Sequence, residues 1–224
     1  MDVSHAGGLA DRVESTLLKV DARQADIEAL CREAQSLGCL GVCINPYWVA
    51  AAKATLGEAP VKVVTVIGFP LGATQTGVKL VEMGWTMQAG ADELDVVMNV
   101  GALKSGQRET VLDELLTLVN TAHSQQRVVK VIVESAVLTE AEKEEAAHLV
   151  AESGADYLKT STGYVPNDHL LEDVRLFRRV LPDSVGIKAA GGIRDRQMAE
   201  ALVEAGAARL GTSSAGKILS GLQE

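Results

Sequence analysis

The stretch Tyr157-Leu158-Lys159-Thr160-Ser161-Thr162-Gly163 contains the unit from which the fold of this chain is predicted. A short apolar run ends in a lysine, and a polar loop of Thr, Ser and Gly follows it at once. Helical patterns lie on both sides, near 139–153 and 168–180. A strand between two helices is typical of a parallel sheet covered by helices. A lysine in this place is expected to be largely buried, and burial favours the neutral, nucleophilic amine.

The same unit recurs along the chain. Strands are predicted at 16–18, 40–44, 61–67, 93–98, 128–133, 155–159, 184–188 and 208–210. Helices are predicted near 24–37, 46–56, 76–89, 107–123, 139–153, 168–180, 195–205 and 213–221, after a short leading helix within 1–13. Eight units in 224 residues predict an α/β fold with one domain over 1–224, a closed (β/α)8 TIM barrel. A doubly wound open sheet is the alternative, but eight even units and the lack of a dinucleotide fingerprint count against it.

Strand parity predicts which side chains enter the barrel, because alternate residues of a strand point to opposite faces. When the apolar neighbours face the helices, four charged side chains point inward, namely Asp95, Lys130, Lys159 and Lys188. Unpaired charges are costly to bury, so the ion pairs Asp95–Lys130 or Asp95–Lys188 would explain part of this set. Three lysines and one aspartate give the predicted interior an excess of positive charge, which favours a catalytic role for at least one lysine.

Two interior lysines would suit an amine nucleophile. An amine that works near neutrality must become easier to deprotonate by roughly 4 kcal/mol. A second ammonium ~6 Å away supplies about 2.8 kcal/mol at an effective dielectric constant of ~20. Partial desolvation can supply the remainder. Lysines on neighbouring strands, as predicted for Lys159 and Lys188, are therefore adequate for this task.

Two glycine-containing loops follow the last two predicted strands and indicate an anion site. They are Ala190-Gly191-Gly192-Ile193-Arg194 and Gly211-Thr212-Ser213-Ser214. Barrel enzymes often bind phosphate with these two loops. Glycine lets backbone N–H groups approach the anion, and serine hydroxyls at a helix start add donors. Ordinary left-handed turns and a helix N-cap are the alternative explanation.

The composition argues against several classes of partner. With 30 acidic and 21 basic residues the net charge is −9, which disfavours binding to nucleic acid or an anionic membrane. No apolar run reaches the ~18–20 residues that span a bilayer, and the N-terminus lacks the pattern of a signal peptide. Cys31, Cys39 and Cys43 are too few for a disulfide framework, so we expect reduced thiols and a cytoplasmic protein.

No metal and no cofactor is expected. The four histidines are scattered along the chain without ligand spacing. Cys43, at the end of the second predicted strand, is a candidate pocket residue, although a small buried core residue is an equal interpretation. Lys130 and Thr16 are further candidates for the pocket. Trp85 and Met87 lie in a predicted helix and are expected to pack.

Five motifs, in order along the chain, resemble those of the deoxyribose-phosphate aldolases, a family of class I (Schiff-base) aldolases. The motifs are Val66-Ile67-Gly68-Phe69-Pro70-Leu71-Gly72, Gly90-Ala91-Asp92-Glu93-Leu94-Asp95, Asn99-Val100-Gly101-Ala102-Leu103-Lys104-Ser105-Gly106, Lys159-Thr160-Ser161-Thr162-Gly163 and Lys188-Ala189-Ala190-Gly191-Gly192-Ile193-Arg194. Similarity extends over most of the chain, from Thr16 to Ser214. The combination of all five is far more specific than any one of them.

The resemblance implies reversible cleavage of 2-deoxy-D-ribose 5-phosphate to D-glyceraldehyde 3-phosphate and acetaldehyde, in deoxynucleoside catabolism and without a cofactor. Lys159 matches the Schiff-base lysine, Lys188 the lysine that eases its deprotonation, and Asp95 the group that relays protons, with water as intermediary. The residues in or near the family's phosphate pocket are Thr160, Gly163, Gly191, Gly192, Gly211, Ser213 and Ser214. The partner is then a small phosphosugar. Relatives are often dimers, which implies a homodimer, but no stretch locates an interface.

The chain departs from the family pattern in three places. Many relatives read Ile-Asp-His-Thr-Leu-Leu at 13–18, so Glu14 stands here for an aspartate and is one methylene longer. The loop 164–168 replaces a glycine-rich loop and should be stiffer. The tail 219–224 lacks the tyrosine that assists proton transfer in some members. Alternative functions are a Schiff-base aldolase or transaldolase for another phosphosugar, and a barrel that binds sugar phosphate without catalysis.

Overall fold

In the computed structural model, which describes residues 8–220, eight parallel strands close into a barrel. The strands are β1 (Val13–Leu17), β2 (Gly41–Ile44), β3 (Lys62–Ile67), β4 (Glu93–Val97), β5 (Val128–Ile132), β6 (Tyr157–Lys159), β7 (Gly186–Ala190) and β8 (Arg209–Thr212). Each strand pairs with the next, and β8 pairs with β1. The predicted TIM barrel is therefore confirmed and the open sheet is wrong. That one domain covers all of 1–224 stays a prediction.

Helices alternate with the strands. Within the described part of the chain they are α1 (Gln24–Ser36), α2 (Val49–Leu56), α3 (Thr76–Gln88), α4 (Val100–Lys104), α5 (Arg108–Ser124), α6 (Glu140–Glu152), α7 (Leu170–Val180), α8 (Arg196–Glu204) and α9 (Ala215–Leu219). The leading helix is a single 3-10 turn, Leu9–Arg12, and the rest of its predicted range lies outside the described residues. The last helix is shorter than predicted, and residue 221 of its predicted range also falls outside them. Helix α4 was not predicted. Asn99 caps it by accepting a hydrogen bond from the Ala102 amide at 3.1 Å.

The main core lies between the strands and the helices. Outward-facing residues such as Val131, Leu158 and Ile187 have no solvent exposure, as parity predicted. Each such side chain contributes roughly 1.5–3 kcal/mol through burial. No helix of residues 8–220 is both long and apolar enough to cross a bilayer.

A second, smaller cluster lies inside the barrel on its first three strands. We call this the apolar interior cluster, and it consists of Leu18, Cys43, Val64 and Val66, with Phe69 packed against it. Val66 is the register partner of Asp95, and the Cys43 thiol lies 3.8 Å from the Asp95 carboxylate. One side of the barrel interior is therefore apolar where it meets the charged groups.

Two features of the strands place polar residues inside. Strand β1 begins at Val13, three residues earlier than predicted, so that Glu14 belongs to it and is fully buried. On the opposite side, Tyr157 and its register partner Gly186 both face the interior. A side chain at residue 186 would collide with the Tyr157 ring, since an added Cβ would lie 2.3 Å from a ring carbon. Glycine there makes room for the ring.

Candidate active site

The structure brings Asp95, Lys130, Lys159 and Lys188 together inside the barrel. Each is at most 2% exposed. The strand register brings these residues together, because Asp95 is the register partner of Lys130 and Lys159 is the register partner of Lys188. Lys130 donates to Asp95 Oδ1 at 3.0 Å, whereas Lys159 and Lys188 donate to Oδ2 at 2.8 and 2.6 Å. One carboxylate thus orients three ammonium groups.

Two further carboxylates, Glu14 and Glu93, and Arg209 complete this buried charge cluster. Glu93 and Arg209 were not predicted from the sequence, whereas Glu14 was noted only as a departure from the family pattern. Glu14 contacts Lys188, and its other oxygen lies 3.5 Å from Lys130. Glu93 lies 2.7 Å from Lys130 and 3.7 Å from Arg209. The expected excess of three lysines over one aspartate is therefore wrong. Glu93 could have been found, since it lies two residues before Asp95 on the same face of its strand.

Opposite charges decide the protonation of these groups. Burial by itself would raise the pKa of Asp95, but the ammonium groups of Lys130, Lys159 and Lys188 outweigh burial and hold it well below its usual range. Burial disfavours the ammonium form of Lys188, but Asp95 and Glu14 outweigh burial and raise the pKa of Lys188 above the ordinary lysine value. Lys188 is therefore a fixed cation at neutral pH.

A cavity of about 820 Å³ opens above this cluster, at the carboxyl ends of the strands. Its wall comes from β1, β6, β7 and β8 and the loops that follow them. Of the four cations in the buried cluster, Lys159 is the one that lines the cavity. Six of the seven residues predicted for phosphate line it, namely Gly163, Gly191, Gly192, Gly211, Ser213 and Ser214. Thr16 lines it as well.

Three sequence candidates do not reach the cavity. Thr160 is buried, and its hydroxyl donates to the Ala190 carbonyl at 3.1 Å and accepts from the Ala190 amide at 3.0 Å, which ties β6 to β7. Cys43 lies in the apolar interior cluster, where burial raises its thiol pKa. Lys130 is held below the cavity by Asp95 and Glu93. Cys43 and Lys130 are therefore not among the residues that line this cavity, and a role for either in the pocket stays a prediction.

The chain also matches known proteins. A model of the DeoC/LacD family of aldolases matches residues 9–222. The chain belongs to this family. Deoxyribose-phosphate aldolase of Carboxydothermus hydrogenoformans is 47% identical over 96% of this chain and 95% of its own length. The enzyme of that name from Thermococcus kodakarensis is 49% identical over 95% of this chain and 96% of its own. The solved deoxyribose-phosphate aldolase of Aeropyrum pernix, described as a unique tetramer, has a TM-score of 0.88 and 37% identity, covering 95% of this chain and 89% of that one.

In this DeoC/LacD family member, the loops after β7 and β8 are fixed to each other. Gly191 and Gly192 have φ values of +94° and +75°, which favour glycine. The Thr212 hydroxyl donates to the Ile193 carbonyl at 2.7 Å and accepts from the Ser214 amide at 2.9 Å. Contacts within the protein thus fix the two loops relative to each other.

Three cationic side chains that were not predicted as site residues line the cavity beside these loops. They are Lys19, Arg194 and Lys217. Arg194 lies two residues after Gly192 and Lys217 lies in α9, so a basic residue close behind a glycine loop was the available signal. A negatively charged ligand would meet favourable electrostatic potential here.

The loop after β6 is also organised by hydrogen bonds. Glu134, which has a left-handed backbone with φ +53°, is 7% exposed. Its carboxylate accepts from the Thr162 amide at 3.2 Å and from the Thr162 hydroxyl. That hydroxyl in turn accepts from the Tyr164 amide at 3.1 Å. These contacts fix the first residues of the loop beside the cavity.

Glu14, Cys43 and Asp95 could in principle hold a metal ion, since their ligand atoms lie within 4.8 Å of one another. Lys130 and Lys188 both contact these two carboxylates, however, and together they neutralise the charge that would attract a cation. The donor set therefore fits an ammonium group better than a metal. Metal independence stays a prediction.

Proposed function

We propose that this chain is a Schiff-base aldolase that reversibly cleaves 2-deoxy-D-ribose 5-phosphate to D-glyceraldehyde 3-phosphate and acetaldehyde. The observation that carries this proposal is the position of Lys159. Its Nζ lies 2.8 Å from Asp95 and faces the cavity, while the other cations of the buried cluster lie beneath it. Relatives at 47–49% identity bear the name of this activity. The physiological role of this chain would then be in the catabolism of deoxynucleosides.

The charge balance of the buried cluster supports Lys159 as the nucleophile. Lys130, Lys188 and Arg209 are balanced by Glu14, Glu93 and Asp95, so the cluster is neutral when Lys159 is an uncharged amine. A fourth positive charge in this buried site would be costly. The fixed ammonium of Lys188, which shares the same Asp95 oxygen, opposes it most directly.

The chemical steps follow from this arrangement. The Lys159 amine attacks the aldehyde carbon of the open-chain sugar, and loss of water with a proton kept on nitrogen gives an iminium ion, which can accept an electron pair. The 3-hydroxyl then loses its proton and the C2–C3 bond breaks, so that its electron pair forms an enamine and glyceraldehyde 3-phosphate leaves. Protonation of the enamine and hydrolysis release acetaldehyde and free the lysine. Asp95, ionised and hydrogen-bonded to Nζ, is placed to accept and return these protons through water.

The loops after β7 and β8 would hold the phosphate. Gly191 and Gly192 allow backbone N–H groups to approach a dianion, and Ser213 and Ser214 add hydroxyl donors. Arg194 adds positive charge at the same wall. Thr160 would act indirectly, because its side chain is used between β6 and β7.

Borohydride trapping tests the proposal. Acetaldehyde with borohydride should fix one ethyl group on Lys159, located by peptide mass spectrometry, and deoxyribose 5-phosphate should yield acetaldehyde. Lys159→Ala should lose both the label and turnover, whereas Lys62→Ala, at an exposed lysine on β3, should lose neither. An ethyl group on Lys188 instead would reverse the two roles. If the protein cleaves only a different phosphosugar, the Schiff-base mechanism stands and the assignment of the substrate is wrong.

We also propose that two copies of the chain form a homodimer. Val78, Val81 and Trp85 on α3, with Tyr47 in the 3-10 helix Pro46–Trp48 packed beside it, form an exposed apolar stripe, and each is 55–84% exposed. The expectation that Trp85 packs within the chain is wrong, whereas Met87 is buried. The stripe would form the apolar centre of an interface, whose standard size is ~800 Å² per partner. A second copy would cover most of it by two-fold symmetry.

A cytoplasmic location is proposed on the state of the cysteines. Cys31, Cys39 and Cys43 are all free and buried. Reducing compartments maintain thiols in this state.

A further inference from the structure

Tyr164 joins the two ends of the cavity wall. The wall comes from four consecutive strands around the barrel, β6, β7, β8 and β1, and from their loops. Tyr164 lies in the loop after β6, and its hydroxyl donates to the Leu18 carbonyl, after β1, at 2.9 Å. Since β6 and β1 are the first and last strands of this arc, the side chain closes the arc on its open side.

The Tyr164 ring also contacts the other half of the barrel. It lies edge-on to Phe69, after β3, with 5.4 Å between ring centroids and 82° between planes. Phe69 packs against the apolar interior cluster. Apart from Leu18, no residue of that cluster lines the cavity, and neither does Phe69. Tyr164 therefore stands between the cavity, with its charged and glycine-rich wall, and an apolar region next to it.

Hydrogen bonds hold Tyr164 in this position between the cavity and the apolar region. The Tyr164 amide donates to Thr162, which Glu134 holds from the neighbouring loop after β5. The hydroxyl bond to Leu18 fixes the other end of the side chain. Tyr164 is 55% exposed, so it lies at the mouth of the cavity, whereas Lys159 lies at its floor. Both residues line the cavity, so an acceptor bound next to Lys159 lies in the space that this ring borders.

We propose that Tyr164 determines acceptor specificity by keeping the acceptor aldehyde on the polar side of the cavity and away from Phe69. This proposal rests on the proposed aldolase function. Removing the ring would join the cavity to the apolar surface of Phe69, which would give an apolar acceptor a surface to contact. A pocket contact of this kind changes substrate preference on the order of tenfold. Removing the hydroxyl while keeping the ring should change preference much less.

Acceptor competition tests this role. Acetaldehyde is the donor in each assay, and kcat/KM is measured for two acceptors, glyceraldehyde 3-phosphate and hexanal. In Tyr164→Ala the ratio of hexanal to glyceraldehyde 3-phosphate should rise on the order of tenfold. Tyr164→Phe should stay within a few-fold of the unchanged protein. Asp168→Ala, an exposed position in the same loop that does not line the cavity, is the matched control and should leave the ratio unchanged.

The outcomes separate this proposal from the proposed function. If Tyr164→Ala lowers both kcat/KM values by the same factor, Tyr164 only supports the loop and the specificity role is overturned while the aldolase assignment stands. If Asp168→Ala shifts the ratio as much as Tyr164→Ala, loop disturbance explains the effect and the role is again overturned. If the unchanged protein forms no aldol product with either acceptor, both proposals fail.

Discussion

Lys159 and Lys188 are register partners on neighbouring strands, and both donate to the same oxygen of Asp95, at 2.8 and 2.6 Å. They differ in their surroundings. Lys188 also contacts Glu14 and is fully buried, whereas Lys159 has no such second carboxylate among its described contacts and lines the cavity. The pair therefore consists of one fully buried cation and one lysine that a substrate can reach.

The first prediction concerns the Glu14–Lys188 pair. Lys188→Leu alone should lower the free energy of unfolding by on the order of 3–5 kcal/mol, because it leaves the Glu14 carboxylate buried without that partner. It should also slow Schiff-base formation with acetaldehyde, because Lys188 shares the Asp95 oxygen that orients Lys159. The double variant Glu14→Gln/Lys188→Leu should recover much of the stability but not the rate of Schiff-base formation. Urea unfolding and the rate of borohydride trapping measure the two effects, and equal stability of single and double variants would contradict the pairing.

The second prediction concerns stability in acid. Attraction to the lysines keeps the pKa values of Asp95 and Glu14 below those of the unfolded chain, so the unfolded chain takes up protons first as the pH falls. The free energy of unfolding should therefore be steady down to about pH 5 and decline progressively below about pH 4, where ordinary carboxyl groups titrate. Asp95→Asn should be less stable at neutral pH and show a shallower decline. Stability that stays constant to pH 3 would show that these carboxylates do not drive acid unfolding.

The third prediction locates the phosphate. Ser213→Asp places a negative charge on the cavity wall, where a like charge ~5 Å from a dianion costs roughly 1–3 kcal/mol. KM for deoxyribose 5-phosphate should rise about tenfold or more, while KM for unphosphorylated deoxyribose should change little. Ser213→Asn is the neutral control of similar size. A matching rise for both sugars would place the phosphate elsewhere.

The fourth prediction is that chelation leaves turnover intact. Lys130 and Lys188 together already neutralise the Glu14 and Asp95 carboxylates, so the interior has little remaining charge to bind a divalent cation. Dialysis against EDTA should change kcat/KM by less than about twofold, because no transition-state interaction would be removed. Loss of activity with recovery on adding zinc would assign a metal-dependent mechanism instead.

The fifth prediction concerns assembly. Trp85→Glu places a charge in the middle of the exposed apolar stripe and should convert a dimer to a monomer, with Kd raised on the order of a hundredfold, as for a central anchor residue. Sedimentation at several concentrations measures this. Gln197→Glu, an exposed change on α8, which lies on the far side of the barrel from α3, is the control. A dimer that persists in Trp85→Glu would place the interface elsewhere, and a monomeric unchanged protein would remove the proposal of a dimer.

Local patterns in the sequence were enough to predict two features. These are the barrel and the inward direction of the side chains of Asp95, Lys130, Lys159 and Lys188. Both depend on short-range periodicity, with alternation along a strand and a helix after each strand, which is visible in a window of a few residues. The same alternation would have revealed Glu93, two residues before Asp95. The glycine loops after β7 and β8 could also be predicted, because a turn that needs a left-handed backbone usually has glycine at that position.

Closure of the barrel decided what local patterns could not. Glu14 enters the charge cluster because β1 pairs with β8, which lies almost the whole chain away, and its contact with Lys188 removes the expected excess of positive charge. Thr160 belongs to a conspicuous motif but uses its hydroxyl between two strands. Tyr164 meets Leu18 across 146 positions of the chain. Such contacts depend on which strands become neighbours and which loops meet above them, and the physical reason is that packing across the barrel, rather than periodicity along the chain, fixes those distances.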